Sequence, residues 1–532
     1  MKDVSVNRRN QWLAAPLGAA TAAALLSGCG STDGSNAGSG KGVVMGISDK
    51  VKSTDPASGY DPGSWLLFNN VFQSLLSFPK GGTTPEPDAA QSCAFEGGDS
   101  KLFKCTLKKD LKFSNGHELT SKDVKYSFER TLKINDENGP AVMLASIAGI
   151  DAPDDHTVVF RLKTSDATFP SKIASGAGSI VDHREYPADK LRTDNKAVGS
   201  GVYKLDSFSE KSATFSVNES YTGKAKAKNT GVTLKFFNGD QAGLKTVLEN
   251  GDVDFAFRGL AAKDIAALAS SKTGDDKVDV VQGTGAEVEH MVFNMNDPVV
   301  GKLPVRKAIA YLVDREALVK DVYAGTATAL YSIVPTGIAG HTTPFFDRYG
   351  GTPQPEKAKA VLKAANINGK VKVTLYSTPS RYGPSTDHQF EVIAKQLNDS
   401  GLFEADVKSV EYEQYEKDIQ AGKYGIYVKG WVPDYPDADN FTQPFFGPGN
   451  VLNNNYDNKE ITGTIIPSTS AKSDRTAANT DYDRLQDIVA DELPLLPLWQ
   501  GKQYAVTRQN VNGLQWSLDA STVFRFWEIS KG

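Results

Sequence analysis

The chain has 532 residues, 39% hydrophobic and 23% charged, so it can bury several domain-sized cores and is neither one small module nor wholly disordered. Its 59 Lys+Arg against 64 Asp+Glu give a net charge of -5 and a pI near 5.8, which supplies no overall positive field for nucleic acid. Three cysteines and six dispersed histidines argue against a local Cys/His zinc module, and neither a metal nor a cofactor is expected.

Lys2, Arg8 and Arg9 form a basic start, and Trp12 to Leu26 is apolar and uncharged. At about 15 residues this run is short of the roughly 20 that span a bilayer, so residues 1–28 read as an export signal. The run ends Leu26-Ser27-Gly28-Cys29, which resembles the bacterial lipobox. That resemblance implies a diacylglycerol on the Cys29 thiol, a chain cut just before it, and a protein anchored to the outer face of the bacterial cell membrane. Arg8-Arg9 is compatible with either twin-arginine or general secretory export. Residues 29–41 carry no large apolar side chain and read as a flexible tether. Within them Gly38-Ser39-Gly40-Lys41 lacks the first glycine and the Ser/Thr of a phosphate loop, and no strand precedes it.

Cys93 and Cys105 remain, twelve positions apart. In an oxidising compartment a disulfide is the natural reading, contributing about 3 kcal/mol by restricting the unfolded chain. Free buried thiols and a redox pair are the alternatives.

Thr120-Ser121-Lys122-Asp123 carries the signature of a capping box before Val124, Phe128 and Leu132, which predicts a helix. Leu303-Pro304 opens a second, with Ala308, Ile309, Leu312, Val313 and Leu318 on one face. Pro355 opens a third. Val371 to Tyr376 and Tyr424 to Lys429 alternate like strands, while Thr386 to Leu397 and Tyr482 to Val489 have helical spacing. Alternating helix and strand predicts an α/β lobe with a mostly parallel or mixed sheet. The sequence carries no Gly-x-Ser-x-Gly elbow, His-Glu-x-x-His helix or Ser-x-x-Lys set, Asp182-His183-Arg184 reads as a surface turn, and Asp154-Asp155 also sits in a turn context. No enzyme is indicated.

The segment Leu107 to Arg130, LKKDLKFSNGHELTSKDVKYSFER, closely resembles the signature of the family 5 extracellular solute-binding proteins of ABC importers, the dipeptide- and oligopeptide-binding group. Further blocks follow in family order: Thr54-Asp55-Pro56, Val198 to Lys204, Gly251 to Asp254, Phe293-Asn294, Val305 to Ile309, Val313 to Glu316, and Gly430-Trp431-Val432-Pro433-Asp434-Tyr435-Pro436-Asp437. The resemblance spans roughly residues 43 to 530. It implies an α/β, two-lobed periplasmic-binding-protein-like fold (type II, venus flytrap) with an inserted subdomain. Lobe I would comprise 42–85, 198–284 and 500–532, the inserted subdomain 86–197, and lobe II 285–499. The lobes of such proteins close on the ligand by hinge motion, and the closed form is what the membrane permease recognises. Cys93 and Cys105 replace residues that are usually tryptophan and another aromatic in relatives. This shared departure implies a disulfide between neighbouring strands of the inserted subdomain.

A peptide binder must hold a zwitterionic backbone while tolerating varied side chains. A carboxylate can clamp the terminal ammonium and an arginine can fork the terminal carboxylate, each such bond contributing about 1.5 to 3 kcal/mol. By the resemblance, Asp434 matches the aspartate that binds the ligand's α-amino group, and Trp431 walls the pocket. Arg381, after Tyr376-Ser-Thr-Pro-Ser380, matches the arginine that binds the ligand carboxylate in the dipeptide-binding subgroup. Tyr60 and Trp499 are further ligand-binding candidates, whereas Arg306, Asp314 and Asn294 read as structural. The expected function is a monomeric, non-enzymatic lipoprotein that captures short peptides and delivers them to an ABC permease. Two other readings stay open: the same role with an oligosaccharide, nickel complex or haem, and a surface lipoprotein that acts as an enzyme or sensor.

Overall fold

A computed structural model of the chain describes residues 41–270, 278–382 and 385–532. The export signal, Cys29 and the tether through Gly40 lie outside the described residues. No helix among the described residues is long and apolar enough to cross a membrane.

Two long antiparallel strands, Val278–Phe293 and Leu495–Arg508, run together through the middle of an eleven-stranded mixed sheet. Val278–Phe293 starts part-exposed, and every residue from Val288 onward is buried, as expected of a strand that enters a sheet covered on both faces. Beyond it lie Ile426–Trp431, Val371–Ser377 and Phe403–Ser409, in that order. Val371–Ser377 is parallel to both its neighbours, and the connections carry helices Ser385–Asp399 and Tyr412–Gln420. On the other side of Leu495–Arg508 come Phe255–Phe257, Val43–Ile47, Gly231–Phe236, Ser212–Val217 and Tyr203–Phe208. The sheet thus has two halves, which share the two central strands.

A separate antiparallel sheet orders Ala90–Glu96, Leu102–Leu107, Thr157–Leu162 and Ile147–Asp154. Cys93 and Cys105 face each other in register across its first two strands and are joined by a disulfide, with Cα atoms 4.1 Å apart. Helix Ser121–Ile134 covers this sheet through the edge contact of Phe128 with Phe160, ring centroids 5.1 Å apart. Asp123 accepts the Thr120 backbone N–H at 2.9 Å, which fixes the helix start that the capping pattern predicts. Three large apolar clusters fill the molecule: one around Phe103, Phe128, Phe160 and Phe169, one around Met45, Phe68, Phe215 and Phe526, and one around Met291, Phe293, Leu312 and Phe390.

Helices Pro355–Ala364 and Asn479–Glu492 match their spacing, and the strand expected from Tyr424 runs Ile426–Trp431. The single helix expected from Leu303 to Leu318 is two helices, Leu303–Leu312 and Arg315–Asp321. Val313 is extended, and the Asp314 carboxylate accepts the Ala317 N–H at 2.9 Å, so a new helix starts where the apolar spacing alone runs on. The 183–185 turn is at the surface, but Asp182 lies buried beneath it, held by Asn115, His117 and Arg184.

Candidate functional site

In each half of the sheet, neighbouring parallel strands end on the same side, which is where open α/β sheets bind ligands. In one half Val371–Ser377 leads into helix Pro379–Tyr382, which carries Arg381, and the parallel strand Ile426–Trp431 leads into the loop with Asp434. In the other half Val43–Ile47 ends just before Asp49, and the parallel strand Phe255–Phe257 ends just before Arg258. The Arg258 guanidinium meets the Asp49 carboxylate at 3.3 Å. Between these ends lie two adjoining cavities of about 560 and 490 Å³, bordered in common by Asp49, Phe257, Arg258, Glu287, Val432 and Thr522, among others. The larger one is lined by Tyr60, Arg381, Trp431 and Asp434, and the smaller by Trp499. All five ligand-binding candidates therefore line one composite cleft.

Asp434 is held by two residues, one far away in the sequence and one close by. The Tyr60 hydroxyl donates to Asp434 Oδ1 at 2.5 Å, and Asn440 Nδ2 stands 3.5 Å from Oδ2. Asn440 Oδ1 accepts both the Trp431 indole N–H at 2.9 Å and the Asp434 backbone N–H at 3.0 Å, so one amide orients the tryptophan and the carboxylate loop together. Burial raises the Asp434 pKa, opposed by the bonds from Tyr60 and Asn440 and by the charge of Lys172. Burial and the Asp434 charge also raise the Tyr60 pKa well above the ordinary phenol value, which keeps its hydroxyl a donor. A half-buried carboxylate with one oxygen fixed by a hydroxyl from a distant part of the chain is suited to a cationic ligand group.

Arg381 is exposed; its guanidinium stacks on the Tyr412 ring at 5.4 Å and pairs with no carboxylate among the described residues. Trp499 is nearly buried. Its indole N–H donates to Gln389 Oε1 at 2.7 Å, the Tyr323 hydroxyl donates to the same oxygen at 2.6 Å, and the Gln389 amide donates to the Glu289 carboxyl. Burial pushes the Glu289 pKa up to about 8, which favours the neutral acid behind this wall. Arg306 donates to the Val300, Gly301 and Glu492 carbonyls and Asn294 to that of Tyr424, and Asp314 caps a helix, in keeping with structural roles.

Sequence reasoning missed Asn440, Asp49, Arg258 and Glu287. Asn440 follows the Gly430 to Asp437 block closely enough to have been considered. Asp49, Arg258 and Glu287 carry no motif, and only the strand pairing brings them together.

The chain matches the family model for bacterial extracellular solute-binding proteins, family 5 (middle), over residues 84–453. It belongs to that family. Among curated relatives it is 28% identical over 510 residues to the probable D,D-dipeptide-binding periplasmic protein DdpA of Escherichia coli K12, covering 92% of this chain and 94% of that one. Among solved structures it is similar to HbpA2 from Haemophilus parasuis, with a TM-score of 0.81, 20% identity and coverage of 92% and 100% of the two chains. It is also similar to a dipeptide-binding protein from Pseudoalteromonas sp. SM9913 in complex with Met-Leu, with a TM-score of 0.72, 19% identity and coverage of 92% and 100%. These likenesses fix the fold as the two-lobed α/β architecture of periplasmic binding proteins.

Proposed function

We propose that this solute-binding protein captures short peptides in the interlobe cleft and hands them to the permease of an ABC importer, without catalysing a reaction. The observation that carries this reading is the Asp434 carboxylate, oriented by Tyr60 and Asn440 in the same cavity that Arg381 enters from the neighbouring parallel strand. Asp434 receives the peptide ammonium, Arg381 receives its carboxylate, and Trp431, Tyr60 and Trp499 wall the ligand. Ligand length is then limited by the separation of the two charges, which favours dipeptides and other short peptides. The dipeptide-binding relative and the Met-Leu complex support the same solute class. No histidine lines either cavity among the described residues, which favours a peptide over a nickel complex held by imidazoles.

The proposal includes a monomer tethered to the membrane through lipidated Cys29. It also takes residues 42–85, 198–284 and 500–532 as lobe I, 86–197 as the inserted subdomain and 285–499 as lobe II, with lobe closure about the two shared strands as the signal to the permease. Calorimetry with a free-amine dipeptide and its N-acetyl form tests the site. We expect acetylation to weaken binding by about 100-fold or more, since it removes one partner of a desolvated charge pair; equal affinities would exclude the role given to Asp434. Native mass spectrometry of the protein with its co-purified ligand tests the class, and a bound sugar or haem in place of peptides would overturn it.

A further inference from the structure

With Asp434 and Arg381 assigned to the ligand's two ends, the smaller cavity beside Trp499 is left without an occupant. Its charged groups are almost all engaged. Arg258 and Asp49 pair with each other at 3.3 Å, and the Lys502 ammonium donates to the Gly325 carbonyl at 2.8 Å. Glu287 is different: its carboxylate has neither a hydrogen-bond nor an ion-pair partner among the described residues, although it borders both cavities.

Its position is built into the sheet. Thr284 pairs with Lys502 and Val288 with Gln500, so Gly285, Ala286 and Glu287 stand opposite Gly501 alone. A bulge of this kind bends the strand and re-aims a side chain. A Cβ on Gly285 would lie 2.3 Å from the Gly501 carbonyl oxygen, so the bulge needs glycine there. The outcome is a carboxylate exposed to the water of the cleft, between residues 286 and 288 that are both buried. Phe257, Ala286, Trp499 and Val432, the last 45% exposed, give the cavity an apolar part beside its engaged charges. Apolar surface next to a carboxylate without a hydrogen-bond or ion-pair partner among the described residues suits a side chain with an alkyl stem and a cationic head.

We infer that Glu287 is a specificity-determining residue which makes the smaller cavity a subsite for a basic ligand side chain, such as lysine or arginine. This rests on the reading of Asp434 and Arg381 as the clamps for the peptide ends. Calorimetry with Ala-Ala, Lys-Ala, Ala-Lys and the Nε-acetyl forms of the two lysine peptides tests it, on the wild-type chain and on Glu287→Gln. At least one lysine peptide is expected to bind the wild-type protein about 10-fold or more tightly than its acetylated form. Glu287→Gln should remove most of that difference and leave Ala-Ala within about twofold, with an unchanged melting temperature reporting intact folding. Equal weakening of every peptide would overturn the inference, because it would mark Glu287 as a latch to Arg258 across the cleft. Binding of Ala-Ala with no discrimination by lysine charge would overturn this inference alone, whereas binding of none of the five would overturn the peptide reading together with it.

Discussion

The two charged ends of the cleft are built in opposite ways. Asp434 is half-buried, with Tyr60 reaching it from a distant part of the chain and Asn440 fixing both its loop and the adjacent Trp431. Arg381 sits on a four-residue helix, exposed, with the Tyr412 ring as its contact and, among the described residues, no carboxylate paired with it. Burial costs a carboxylate its solvation, so it must be pre-oriented by donors, whereas a guanidinium left in water loses nothing until the ligand arrives. Under the proposed assignment, the difference makes Asp434 the rigid end of the site, setting register and affinity, and Arg381 the end that adapts to the ligand.

This contrast can be broken by substitution. Asp434→Asn keeps the shape and removes the charge; free-amine dipeptide affinity measured by calorimetry should fall by about 100-fold or more. Arg381→Gln should cost less, about 10- to 100-fold, and abolish the preference for a free C-terminal carboxylate over its amide. Arg381→Lys should recover only part of that loss, since an ammonium cannot present the planar fork. A larger effect at Arg381 than at Asp434 would invert the assignment of rigid and adaptable ends.

Tyr60→Phe sharpens the same comparison. Loss of one donor to Asp434 should weaken binding by about 5-fold. It should also move the pH dependence. The ligand ammonium needs the ionised carboxylate, so affinity falls as pH drops through the Asp434 pKa, which burial already raises and the Tyr60 bond opposes. Without the hydroxyl that pKa rises further, and the acid loss of affinity should begin at a higher pH; an unshifted profile would show that Tyr60 does not support Asp434. The smallest effect on binding is expected at the disulfide. Cys93→Ser with Cys105→Ser should lower stability by about 3 kcal/mol in denaturant titration and leave peptide affinity unchanged, because the pair staples two strands of a sheet whose residues line neither cleft cavity.

Much of this organisation was legible along the chain. The Thr120 capping box marked its helix because the signal is local: residues three apart satisfy each other's backbone donors. The alternation in Val371–Ser377 and Ile426–Trp431 marked two strands, and the blocks around Trp431 and Arg381 marked residues that do line the cleft. Local spacing failed at Val313-Asp314, where an apolar face continues past a break that one side-chain cap creates. It was silent at Asn440, whose importance depends on which two donors its carbonyl meets.

Sequence by itself determined the α/β class, the family resemblance, the local helix starts and the residue types able to clamp a peptide's ends, because these rest on periodicity, capping and motif within short windows. Only the tertiary structure decided that Tyr60 reaches Asp434 from 374 positions away, that the ends of parallel strands gather Asp49 with Arg258, and that a bulge opposite Gly501 frees Glu287 into the cleft. Those outcomes follow from strand pairing between distant segments. Register is a property of two chains of contacts together, and neither strand carries it alone.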